Sequence, residues 1–125
     1  MLGNYPVAGI LPVTDINRAK EFYSKTLGLK AMDIGGPEGF MMYSAGKGTM
    51  FAIYKRPPVK VEHTQLGFSV DDIEKVMKEL KRKGVKFEEY DMPDLKTVNG
   101  IATVDGTKSA WFKDPDGNII AVNQM

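Results

Sequence analysis

The sequence predicts an α+β fold in which a unit of strand, helix and further strands occurs twice, and three observations carry that expectation. The first is an internal repeat. Adding 57 to Ala8, Val13, Asp15 and Ile16 reaches Gln65, Val70, Asp72 and Ile73, and adding 69 to Tyr43, Gly48, Phe51, Ala52 and Ile53 reaches Phe112, Gly117, Ile120, Ala121 and Val122. The second is a pair of amphipathic helical patterns, each opened by an aspartate and closed by a glycine. The third is a hairpin over residues 109–124, whose Asp114-Pro115-Asp116-Gly117 turn combines a fixed φ at proline with a glycine free to take φ > 0.

In chain order, residues 5–13 alternate as a first strand, with Pro12 marking an edge or a strand end. Thr14 or Asp15 caps a helix running to Leu27, on which Ile16, Ala19, Phe22, Tyr23 and Leu27 recur at helical spacing before Gly28. Two strands follow, at 40–45 and 49–54, joined by Gly46-Lys47-Gly48. Lys55-Arg56-Pro57-Pro58 then breaks the pattern, because proline cannot donate to a central ladder, and the module boundary falls there. A strand at 64–70 leads into a helix that Asp71 begins, with Glu74 three residues on and Ile73, Val76, Met77 and Leu80 as its buried stripe. Residues 88–108 read as turns around a strand at 101–104. In the closing hairpin a four-residue turn sets Lys113 opposite Asn118. Alternation then places Ala110, Phe112, Ile119, Ala121 and Asn123 on one face, with Trp111, Ile120 and Val122 on the other.

A length of 125 residues suits one domain over 1–125, built from module 1 at about 5–56 and module 2 at about 62–125. Seventeen basic and sixteen acidic residues leave a formal charge of +1 and are mixed along the chain, which argues against a nucleic-acid partner. No apolar run approaches the roughly 20 residues of a membrane span, and the N-terminus lacks a signal-peptide pattern. With no cysteine there is neither a disulfide framework nor a thiolate site, and the expectation is a cytoplasmic protein without membrane contact.

Three stretches resemble the vicinal oxygen chelate superfamily, which includes glyoxalase I, bleomycin resistance proteins and extradiol dioxygenases. They are Val13-Thr14-Asp15-Ile16-Asn17-Arg18-Ala19-Lys20-Glu21-Phe22-Tyr23 ending at Leu27-Gly28, Phe68-Ser69-Val70-Asp71-Asp72-Ile73 with Gly84-Val85, and Phe112-Lys113-Asp114-Pro115-Asp116-Gly117-Asn118. The resemblance implies two βαβββ modules forming a curled, cup-shaped mixed sheet with helices outside, commonly as a homodimer. In metal-dependent members, four ligands (His, Glu or sometimes Gln) come from the first and last strands of each module, and the ion acts on the substrate as a Lewis acid. The matching positions here are Ala8, Ala52, Gln65 and Ala121, so neither a metal nor a cofactor is expected.

His63, the sole histidine, is the one weak catalytic candidate: a ligand or general base at the cleft mouth, or a solvated residue at a strand start. The spacing of Asp114 and Asp116 is what the turn itself requires. If the first hairpin shares the register of the second, Met41, Tyr43, Met50, Ala52 and Tyr54 face the cup opposite Ala110, Phe112, Ile119 and Ala121. The ligand-binding set is then Met41, Tyr43, Met50, Tyr54, Gln65, Ser69, Phe112, Ile119 and Asn123, with the polar members orienting a small apolar or aromatic molecule. Alternation alone does not separate such a pocket from a filled core or a dimer seam. The expected function is a glyoxalase- or bleomycin resistance-like binding protein that lacks the usual ligands. The alternatives are a glyoxalase-like lyase, isomerase or dioxygenase with an unrecognised metal site, in which His63 joins a carboxylate among Glu38, Glu62, Glu88 and Glu89, and a metal-free enzyme using Tyr43, Tyr54 and His63.

Overall fold

The computed structural model describes residues 1–32 and 35–125 and divides into two compact units, Met1–Val59 and Lys60–Met125. Each unit carries one four-stranded mixed sheet, so the chain is α+β as its pattern predicts.

In the first unit β1 (Gly9–Val13) runs parallel to β4 (Met50–Lys55), and β3 (Phe40–Ser44) and β2 (Lys30–Met32) follow antiparallel, in the order β1-β4-β3-β2. The first strand is shorter than its alternation suggests, starting at Gly9 rather than at residue 5, and β2 is an additional strand. Helix α1 (Ile16–Lys20) starts at Asp15, whose carboxylate accepts from the Asn17 and Arg18 N–H groups at 3.0 and 3.1 Å and satisfies two orphan donors of the first turn. It continues as a wider turn over Glu21–Thr26, where the Leu27 N–H reaches back five residues to Phe22 O. Gly28, at φ 72°, then lets the Leu29 N–H bond to Tyr23 O and stop the helix. Ala19 and Tyr23 bury against Leu11, Val13, Tyr43, Phe51 and Ile53, with the Tyr23, Tyr43 and Phe51 ring centroids 5.6–5.8 Å apart.

The second unit repeats the plan. β5 (Thr64–Ser69) lies parallel to β10 (Ile119–Gln124), with β9 (Thr107–Lys113) and β8 (Ala102–Val104) continuing the order β5-β10-β9-β8. Before β8, a small hairpin pairs β6 (Asp91–Met92) with β7 (Leu95–Lys96) around Pro93-Asp94, in the stretch that the sequence reads only as turns. Helix α2 (Ile73–Arg82) is capped by Asp72 rather than Asp71: the Asp72 carboxylate accepts from the Lys75 N–H at 3.2 Å, and the Gln124 side-chain oxygen accepts from the Ile73 N–H at 2.8 Å. Ile73 and Met77 are its buried residues, while Val76 and Leu80 stay half-exposed.

The ladders reproduce both repeat offsets. Ile10 sits beside Ala52 and Met42 in the first sheet, and Gly67 sits beside Ala121 and Trp111 in the second. Both hairpins close in the same way, with the Ala45 N–H donating to Thr49 O at 2.8 Å and the Asp114 N–H donating to Asn118 O at 3.0 Å. Each encloses three residues and ends on a left-handed glycine, Gly48 at φ 75° and Gly117 at φ 86°. The loop is thus one residue longer than a turn that sets Lys113 opposite Asn118, and Lys113 pairs with Ile119 instead.

Candidate functional site

That extra loop residue decides which side chains stand on the face of each sheet away from its helix, because a shift of one residue turns a strand over. β4 and β10 present the expected residues there: Met50, Ala52 and Tyr54 in the first unit, and Ile119, Ala121 and Asn123 in the second. β3 and β9 present the opposite ones. Tyr43 is fully buried on the helix side, its hydroxyl 3.0 Å from Ser24 Oγ and 3.9 Å from Met41 Sδ, so Met41 and Tyr43 leave the expected set and Met42 replaces them. Phe112 is likewise 1% exposed and packs edge-on against Phe87 at 5.6 Å. A Cβ on Gly100 would meet both Phe87 and Met77 of α2, which puts Phe112 and its neighbour Ala110 on the helix side. Trp111, expected among the helix-packing residues, stands on the other face.

On that face the second unit forms an ordered arrangement. Across one row lie Gly67, Ala121 and the half-exposed Trp111, so the indole's neighbour on β10 is a methyl and the position beyond it carries only a hydrogen. The next row is polar: Ser69, Asn123 and Ser109, in which Ser109 Oγ donates to Asn123 Oδ1 at 2.7 Å. That bond turns the Asn123 amide nitrogen toward Gly67, where an added Cβ would approach it to 3.1 Å. On its remaining side Trp111 meets Tyr90 edge-on at 5.6 Å. The Glu88 N–H donates to Trp111 O at 2.8 Å, and the Glu88 carboxylate pairs with Lys113 at 3.5 Å. Burial, then the nearby Glu88 carboxylate, push the Tyr90 phenol above its ordinary value, with Lys113 opposing them.

Gln65 has the most unusual surroundings. The β5–β10 register shifts between Ile119, paired with Thr64, and Ile120, paired with Leu66, so Gln65 is the extra residue of a β-bulge. Its side-chain oxygen is buried and has no hydrogen-bond partner among the described residues, a state that costs about 1–3 kcal/mol. A buried oxygen in this state is completed by a bound water or by a ligand donor that reaches it.

Three of the four carboxylates named for a His63-centred site, Glu62, Glu88 and Glu89, have other partners. His63 is exposed just before β5, and Glu62 pairs with Lys60 at 3.2 Å. Glu89 accepts from Thr97 Oγ1 at 2.5 Å and the Gly100 N–H at 2.9 Å, and these bonds hold its carboxyl below the usual range. No group of three or more His, Cys, Asp or Glu residues gathers at one point among the described residues.

The sequence model of the glyoxalase/bleomycin resistance protein/dioxygenase superfamily matches residues 6–122. The chain belongs to that superfamily. No curated protein sequence matches it. Among solved structures, an integron cassette protein from the mobile metagenome of V. cholerae is 27% identical with a TM-score of 0.67, over 96% of this chain and 94% of that one. TnmS3, an antibiotic binding protein from Streptomyces sp. CB03234, is 23% identical with a TM-score of 0.69, over the same shares. A glyoxalase/bleomycin resistance protein from Catenulispora acidiphila is 22% identical with a TM-score of 0.67, over 96% and 97%.

At Ala8, Ala52, Gln65 and Ala121, the positions that the sequence resemblance assigns to the superfamily's divalent ion, stand three methyl groups and one carboxamide. Ala52 and Ala121 are fully or nearly buried in the ladders described above, and the lone Gln65 oxygen is neutral. This donor set does not fit a metal.

Proposed function

We propose that the chain is a metal-independent, small-molecule-binding member of the superfamily, which holds a flat, largely apolar molecule beside Trp111 and pairs a donor of that molecule with the Gln65 side-chain oxygen. The buried, unpartnered Gln65 acceptor is the observation that carries this reading. Gly67 and Ala121 leave room for a ring next to the indole, and Asn123 with Ser109 offers a polar edge to orient it. The fold is shared with an antibiotic binding protein, which favours sequestration over turnover. The same proposal makes it a cytoplasmic homodimer, for which the edge strands that end each sheet offer a pairing surface.

Trp111 is the only tryptophan, so tryptophan emission is read from this face. Titration with 4-nitroaniline, a planar N–H donor, is expected to quench it saturably, and Gln65→Leu is expected to weaken binding by about tenfold, the value of one buried hydrogen bond. Nitrobenzene, which lacks the donor, should bind wild type and variant alike. Absence of saturable quenching would overturn the reading. So would calorimetric binding of one Zn²⁺, Ni²⁺, Mn²⁺ or Fe²⁺ per chain that His63→Ala abolishes, an outcome that directs the search to glyoxalase-like or dioxygenase chemistry.

A further inference from the structure

On the helix side of the second unit, α2, the 96–101 segment and the β8–β9 edge enclose an open groove of about 740 Å³. Its floor is apolar, made by Met77, Ile101 and the exposed Val98. Its walls carry Lys78, Lys81, Lys96 and Lys108 against a single carboxylate, Glu74, which Lys108 already approaches at 3.7 Å. The lining therefore holds a net charge of +3 in a chain whose total is +1, which leaves the rest of the molecule at −2. Basic and acidic residues are mixed along the sequence, and folding collects four of the basic ones here.

We infer that this groove is a second binding site, for a small amphipathic anion: a sulfonate, carboxylate or phosphate head on an apolar or aromatic body. The charge and the floor each select one half of such a ligand. Lys78 and Lys81 lie one turn apart on α2 and repel each other, and Lys96 faces them from the segment opposite, so an anion between them relieves repulsion that the free protein carries. Lys78 and Lys96 have no ion pair among the described residues, which leaves both ammonium groups available. A bare inorganic anion would leave Val98 and Ile101 in water, whereas an attached ring covers them. Beside the groove, a smaller recess of about 460 Å³ shares Lys81 and Asn99 and is backed by Phe87, over which the Lys81 ammonium stands at 5.9 Å. That recess adds Val85 and the Phe87 ring under the same cation, with Lys86 and the Glu89 carboxylate, held by Thr97 and Gly100, at its rim. The inference does not rest on the Trp111 face, which belongs to the opposite side of the sheet.

The test is an amide NMR titration of the full chain with naphthalene-2-sulfonate. Saturable shifts are expected at Val98, Asn99, Gly100 and Ile101, with affinity falling about tenfold in Lys78→Gln/Lys96→Gln and again in about 0.5 M salt. Both lysines are exposed, so the variant keeps its fold, and its spectrum away from the groove verifies this. Neutral 2-naphthalenemethanol and inorganic sulfate should each bind more weakly than the sulfonate. Shifts confined to Gly67, Trp111 and Ala121 would overturn the inference without touching the Gln65 reading. Equal affinity in the double-lysine variant, or for sulfate alone, would also overturn it.

Discussion

Asp114 and Asn118 hold the β9–β10 hairpin by three direct bonds, among them the Asp114 N–H donating to Asn118 O at 3.0 Å and Asn118 Nδ2 donating to Asp114 Oδ2 at 2.7 Å. Asp114 Oδ1 also accepts from the Asp116 and Asn118 N–H groups, each at 2.9 Å, and both side chains are buried. The pair fixes a three-residue loop, and through it the register of the sheet.

Asp114→Ala should therefore cost about 2–3 kcal/mol, because it strands buried donors as well as removing a charged acceptor. The expected result is a fall in Tm of roughly 10 °C. Asn118→Ala, which leaves the backbone closure in place, should cost less. Equal and small losses from the two substitutions would show that the carboxylate does not organise the loop.

The capping of α2 offers a sharper comparison, since Asp71 and Asp72 are adjacent and only one accepts a helical N–H. Asp72→Ala is expected to lower stability by about 1 kcal/mol and Asp71→Ala by less than about 0.5 kcal/mol, measured by urea denaturation. A larger loss at Asp71 would move the helix start by one residue.

These two sites show where sequence pattern suffices and where it stops. The two offsets of the repeat emerge directly as ladder neighbours, Ile10 beside Ala52 and Gly67 beside Ala121, because hydrophobic periodicity and glycine positions record topology. Register is less legible. Whether Asn118 closes the loop or opens the strand depends on a side-chain bond to Asp114, and that single residue turns over β9, exchanging Phe112 for Trp111. The same exchange in β3 removes Met41 and Tyr43 and brings in Met42. The Asp-Pro-Asp-Gly-Asn pattern was the available signal, since a left-handed glycine followed by a side-chain donor fits a three-residue loop. The bulge at Gln65 leaves no such trace, because it arises from pairing with β10.

Two ionisable groups give pH dependences of opposite sense. Tyr90 is raised, so the unfolded chain loses the phenolic proton first. Its contribution to stability is complete below the ordinary tyrosine value of about 10 and is lost as pH rises through the higher folded value. Glu89 is lowered, so its contribution is present above the ordinary glutamate value and is lost as pH falls through the folded one. The Gly100 amide, which donates to Glu89, should report that acid midpoint by NMR, and Glu89→Gln should abolish the response. Ultraviolet titration should find a phenol that ionises above the ordinary tyrosine value and is absent in Tyr90→Phe.

Tyr43 provides the test of which sheet face binds. Its hydroxyl meets Ser24, and its ring lies between Tyr23 and Phe51, all on the helix side. Tyr43→Phe should therefore cost about 1 kcal/mol in stability, the value of one hydrogen bond, and leave the quenching of Trp111 by 4-nitroaniline unchanged. Gly67→Ala should do the reverse. Its methyl enters the space beside Ala121 and crowds the Asn123 amide at 3.1 Å, which weakens the ligand while the exposed position limits the cost to folding. A ligand affinity that follows Tyr43 and ignores Gly67 would transfer the binding face to the helix side and remove Gln65 from the site.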